Sequence, residues 1–138
     1  VNEIISFDKA SYNADPFIKW GMSVAEDGFS WTEGNETEFN FLLKDAADTV
    51  QANIYVDGVF NEKQDVLIYV NGLQVYYGTL YGAEVIKFTF PNPHDNKINM
   101  KLILPNAIAP SKVGVYNDDR TLALMLRDIT FIDIMELE

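Results

Sequence analysis

The chain has no cysteine. That excludes a disulfide framework, a thiolate nucleophile and cysteine-ligated zinc. Histidine is almost as scarce, with His94 alone. A Ser-His-Asp arrangement would have to use it. Its setting, Pro91-Asn92-Pro93-His94-Asp95-Asn96, reads instead as a polar hairpin loop with a solvated imidazole. One histidine and no cysteine also argue against zinc hydrolysis. Basic residues are few: 10 Lys and Arg stand against 21 Asp and Glu, for a net charge of −11. Such a surface repels nucleic-acid phosphates and anionic lipid headgroups. It leaves neutral ligands such as glycans, and divalent cations, open. No stretch approaches the ~20 apolar residues that span a bilayer, so no direct membrane insertion by this segment is expected. The start at Val1-Asn2-Glu3 lacks both an initiator Met and the basic-then-apolar pattern of a signal peptide. The expectation is a segment of something longer.

Also missing are an EF-hand spacing, a Gly-rich phosphate loop, an internal repeat and a linker. No segment carries a long helical stripe. Residues 43–48 and 106–112 suit one helical turn at most.

What is present is a period of two. The 138 residues, 48% of them hydrophobic, suit one domain over 1–138 with a real core. Val66, Ile68 and Val70 alternate with Leu67 and Tyr69, and the run ends at Asn71-Gly72. That pair is a type I′ hairpin signal, so Leu73–Leu80 pairs back antiparallel. Glu84–Phe90 and Asn96–Leu104 alternate as cleanly. Further strands are expected at Ile4–Phe7, Phe17–Val24, Phe29–Thr32, Glu36–Leu43, Val50–Val56, Thr121–Arg127 and Ile129–Met135. Turn residues punctuate the gaps at Asp57-Gly58, Tyr81-Gly82, Pro91-Asn92-Pro93 and Asn117-Asp118-Asp119. The fold class is all-β, an antiparallel two-sheet sandwich of jelly-roll type, with a closed barrel as the alternative.

No catalytic constellation emerges. Glu26, Asp27, Glu33, Glu36, Glu38, Asp118 and Asp119 supply carboxylates for a glycosidase-like pair, but their number alone selects no pair. Asn117-Asp118-Asp119 is the best cluster for a structural calcium ion. An Asx-type turn capping a strand is the preferred reading. No cofactor and no metal are assigned. Trp20 and Trp31 are assigned to core packing ahead of a ligand platform. The rings of Tyr76 and Tyr77 must point to opposite faces, so one is outward.

Two stretches carry a family pattern. Gly21, Ser23, Glu26, Trp31 and Gly34 keep the order and spacing of Gly-x-Ser-x-x-Glu-x-Trp-Gly-x-Trp-Ser-x-Gly. Leu104–Leu124, with Pro105, Ala107, Pro110, Gly114, Asp118, Arg120 and Leu122, follows Pro-x-Ala-x-Ser-Pro-x-x-Leu-Gly-x-Ser-x-Asp-x-Arg-x-Leu-Gly-Leu. Val70-Asn71-Gly72 matches a central hairpin between them. Gly28 and Phe29 replace Trp-Gly, Ala109 replaces Ser and Ala123 replaces Gly. The chain thus resembles a β-sandwich domain at the C-terminal end of bacterial membrane-bound envelope glycosyltransferases and phosphoglycerol transferases. The resemblance implies a non-catalytic accessory domain of a larger membrane protein, facing the periplasm or cell exterior. Its partner would be a polysaccharide, such as O-antigen, or the parent's catalytic part. Gly21 and Gly34 should bracket a strand-turn-strand element and serve a positive φ or a close approach of backbone, Trp31 should pack between sheets, and Arg120 should pin its loop through a bidentate aspartate pair. Glu26, Trp31, Asp118 and Arg120 would meet at one end of the sandwich and bind glycan. A structural interaction module and a small carboxylate-dependent hydrolase are the rival readings.

Overall fold

The computed structural model describes residues 4–114 and 117–134. Among them lie eleven strands: β1 (Ile5–Ser6), β2 (Ile18–Trp20), β3 (Met22–Glu26), β4 (Phe29–Glu33), β5 (Glu36–Leu42), β6 (Thr49–Val59), β7 (Gln64–Val70), β8 (Leu73–Leu80), β9 (Glu84–Pro91), β10 (Lys97–Ile103) and β11 (Leu122–Asp133). The first sheet runs β3-β4-β11-β6-β9, with β1 also on β11; the second runs β2-β5-β10-β7-β8. All pairings are antiparallel. From β4 to β11 the chain passes repeatedly from one sheet to the other, the winding of a jelly roll.

The period of two explains the core. From the second sheet come Phe39 and Phe41, Val66, Ile68 and Val70, and Ile98, Met100 and Leu102. The first sheet answers with Val50, Ala52, Ile54 and Val56, Ile86, Phe88 and Phe90, and Leu124, Leu126, Ile129 and Phe131. Each such side chain contributes about 1.5–3 kcal/mol by leaving water. Phe41 meets Phe131 edge-on at 5.0 Å, which ties the sheets together at one end. At the C-terminal end of β7, Asn71 and Gly72 take φ of 50° and 83°, the left-handed pair of a type I′ turn.

Three sequence boundaries need correction. Phe17–Val24 is not one strand. It breaks at Gly21, where φ is +92° and a Cβ would lie 2.6 Å from Thr37 Cα and closer still to the Glu36 carbonyl. The chain leaves the second sheet at Trp20 and enters the first at Met22. Gly34 also takes positive φ, at 98°. Asp57-Gly58 is no turn either. It lies inside β6 as a bulge, because Gly58 faces Met125 while Val56 faces Leu126. Thr121–Arg127 and Ile129–Met135 form one strand over the described residues, β11, and Met135 lies outside them. A second bulge at Arg127, between the pairs Leu126–Val56 and Asp128–Tyr55, lets both Leu126 and Ile129 face the core. Local periodicity registers such a phase change as a strand end.

Candidate functional site

The four residues singled out by sequence lie on the first sheet and the loop before β11. Arg120 Nε donates to both Asp118 oxygens at 3.0 and 3.2 Å, and Nη2 donates to Oδ2 at 2.7 Å. The Arg120 backbone N–H donates to Oδ1 at 3.0 Å, closing an Asx turn. These bonds hold the Asp118 carboxyl below the usual aspartate range and the Arg120 guanidinium still more firmly protonated. Arg120 Nη1 then reaches across to donate to Ser23 Oγ on β3 at 2.8 Å. Glu26 and Glu33 are near enough to add to the guanidinium's stabilisation. Glu26 Oε2 is buried without a hydrogen-bond partner among the described residues. The structure therefore gathers Glu26, Asp118 and Ser23 around Arg120. Asp119 accepts from Ser111 Oγ at 2.6 Å, so the Asp pair is engaged within the loop.

Trp31 does not pack between the sheets. It alternates with Ser30 and Thr32, and those small polar residues face inward. Ser30 Oγ donates to the Phe7 carbonyl at 2.8 Å, and Thr32 Oγ1 accepts from the Leu124 N–H at 3.0 Å. The indole therefore lies on the outer side, edge-to-face with Phe29 at 5.8 Å and with Phe60 at 6.3 Å. It is a half-buried member of an aromatic cluster.

The outer face of the second sheet is organised differently. Register places Trp20, Glu38, Lys101, Tyr69 and Gln74 in one row across all five strands. Four strand spacings make that row about 19 Å long. Trp20 is 45% exposed. Its Nε1–H donates to Glu36 Oε2 at 3.1 Å, and Lys19 Nζ sits 5.0 Å from the ring centroid. Glu38 is only 3% exposed. Its carboxylate takes Lys19 Nζ at 3.0 Å, Lys101 Nζ at 3.7 Å and the Asn99 Nδ2–H at 2.9 Å. Burial by itself would raise its pKa. The Asn99 hydrogen bond and the two ammonium groups outweigh it and hold the carboxyl below the ordinary glutamate range. An acid kept ionised in this way is unsuited to general-acid work. Asn99 also donates to Asn40 Oδ1 at 3.0 Å. Between Glu36, Tyr69, Gly72, Asn99, Lys101 and Ile103 opens a depression of about 400 Å³.

Sequence reasoning missed this face. The signal was there in the positions opposite the core phase. Glu36, Glu38 and Asn40 interleave with Thr37, Phe39 and Phe41, while Asn99 and Lys101 interleave with Ile98, Met100 and Leu102. Only the strand order sets them side by side.

No protein-family model and no curated protein matches the sequence. Solved structures do match in fold. The CBM36-1 domain of a multidomain xylanase from the hindgut metagenome of Trinervitermes trinervoides superposes with a TM-score of 0.58 at 12% identity, over 99% of this chain and 100% of that one. A family 35 carbohydrate-binding module from an environmental isolate gives 0.55 at 11%, over 94% and 92%. A family GH115 4-O-methyl-α-glucuronidase with specificity for decorated arabinogalactans gives 0.56 at 13%, over 90% of this chain but only 17% of the enzyme. At such identities the likeness defines the fold, a two-sheet β-sandwich of the kind seen in carbohydrate-binding modules.

Proposed function

We propose that this chain is a glycan-binding accessory domain, and that the outer face of the second sheet is its binding surface. The observation behind this reading is the row that begins at the exposed Trp20 and crosses Glu38, Lys101 and Tyr69. An indole held in place by Glu36 and Lys19 offers a flat apolar surface for the C–H face of a sugar ring. Beside it, carboxylate, ammonium and amide groups are already fixed by one another, so hydroxyls meet preorganised partners. A neutral ligand is also the one that a chain of net charge −11 does not repel.

The test is a titration followed by Trp20 fluorescence and by amide shifts along β5 and β10. Xylo-oligosaccharides, arabinogalactan fragments, glucans and O-antigen fragments serve as ligands. Saturable shifts centred on Trp20, Glu38 and Asn99 support the reading. Flat titrations across the panel overturn it and leave a packing role.

On the sequence resemblance, the same reading places the domain in a larger envelope enzyme that modifies glycans, a glycosyltransferase or a phosphoglycerol transferase. It would face the periplasm or the cell exterior. The complete reading frame tests this. Upstream transmembrane segments or a sulfatase-like domain support it, and a frame coding for neither overturns it.

A further inference from the structure

Every sheet in a sandwich has two edges, and an edge strand offers unpaired N–H and C=O groups to any other strand. Among the described residues the strands with an open side are β1, β2, β3, β8 and β9, and four of these five carry a deterrent: β1 has only two residues. β2 has three residues, one of them Lys19. β3 is short, bulged between Met22 and Ala25, and ends at Glu26. β9 carries Glu84 and Lys87 and closes on Pro91. β8 differs. It runs eight residues, Leu-Gln-Val-Tyr-Tyr-Gly-Thr-Leu, with no charge and no proline. It sits in the middle of Val66–Ala83, throughout which no residue is charged, although charged residues make up 22% of the chain.

The β8 backbone is regular where it matters. The pairs Tyr69–Gln74 and Ile68–Tyr76 leave Val75 as the extra residue of a bulge. From Tyr76 to Leu80 the pairing with β7 is uninterrupted. Gly78 in the middle is covered by the Tyr76 ring, whose Cζ lies 2.9 Å from where a Cβ would be. Tyr77 is 64% exposed.

We propose that β8 pairs edge to edge with β8 of a second copy of this chain, about a two-fold axis at Gly78. Antiparallel pairing there sets Tyr77 opposite Thr79 of the second copy, and Tyr76 opposite its Leu80. The Tyr77–Thr79 pair sets an aromatic ring on a β-branched residue, a pairing that favours sheet formation. The choice of a second copy follows from the register: about a two-fold at Gly78 the edge is its own complement, with the exposed Tyr77 of each copy meeting Thr79 of the other. At net −11 two copies repel, and an uncharged edge lets their backbones meet without bringing carboxylates together. A contact of about five residues is small beside a standard interface, so the dimer forms in a concentration-dependent way. The axis stands perpendicular to the second sheet, so both outer faces look the same way. On the glycan-binding reading above, two rows then face one polysaccharide and bind it with avidity.

Sedimentation of the whole chain from micromolar to millimolar concentration tests the pairing without any sugar. A monomer–dimer equilibrium is expected, with amide exchange slowing over Tyr76–Leu80 as the dimer fills. Tyr77→Lys and Thr79→Lys should each raise the dimer dissociation constant about tenfold or more. Val24→Lys, on the edge strand β3, should leave it unchanged. Circular dichroism identifies any variant that fails to fold, and two lysine positions guard against losing one. A monomer at every concentration, or a dimer indifferent to both lysines, overturns the proposal. Sugar titration is read separately. Dimerisation without sugar binding sinks only the functional reading, and sugar binding by a strict monomer sinks only the pairing.

Discussion

The two outer faces of this sandwich each hold one of its two tryptophans, and they use them in opposite ways. On the first sheet Trp31 is closed in by Phe29 and Phe60. In the loop before β11, Arg120 is occupied by Asp118 and by Ser23 of β3. On the second sheet Trp20 keeps nearly half its surface in water, and its polar neighbours form an open row. An aromatic ring near charged residues is therefore no measure of a binding site. What separates the two is whether the ring's face is already covered by protein.

The largest expected effect tests the link between the faces. Gly21→Ala forces a Cβ against the β5 backbone at a positive φ, which should cost about 3 kcal/mol or more. Chemical denaturation measures it, and unchanged stability would show that the crossing tolerates a side chain. Next comes a pair of substitutions that should part the faces cleanly. Trp31→Ala should lower stability by about 2–3 kcal/mol through lost burial and two edge-to-face contacts, yet leave sugar titrations unaltered. Trp20→Ala should weaken sugar binding at least about tenfold and shift stability by under about 1 kcal/mol. Reversed phenotypes would exchange the roles assigned here.

A smaller effect is pH-dependent. Glu38→Gln should cost about 1–2 kcal/mol at neutral pH, where the carboxylate is paired and hydrogen-bonded. Because the folded-state pKa of Glu38 is depressed, its contribution is complete above the ordinary glutamate range, near about 4.3. It is lost as pH falls below that range. Urea melts of both proteins should therefore converge on acidification, and a gap that stays constant to low pH would contradict the ion-pair account. Smallest of all, Arg120→Lys removes the planar fork. Amide exchange should quicken in 117–122, with little change in global stability and none in sugar binding.

Much of the fold was legible because burial writes itself into a two-residue period. Val66, Ile68 and Val70, or Ile98, Met100 and Leu102, announce their core face without help. The Asn71-Gly72 turn and the Arg120–Asp118 fork were equally local, each set by residues adjacent or two apart. The bulges at Asp57 and Arg127 were not, since a phase slip within one strand looks like an end. The face carrying Trp20 was harder still. Glu38, Lys101 and Tyr69 are separated by dozens of residues, and no local rule says that β5, β10 and β7 are neighbours. Trp31 was misplaced for a simpler reason. Bulk argued for the core, whereas Ser30 and Thr32 had already taken the inward phase of β4.

Gly21 has one more implication, for recognising kindred sequences. The conformation and the crowding at this position belong to the scaffold, since they come from the β5 backbone rather than from any ligand. In an alignment of related chains, column 21 should hold glycine throughout. On the proposed function, column 20, one step away, is free to change with the ligand. A conserved residue directly after a variable aromatic one would then mark where scaffold ends and specificity begins.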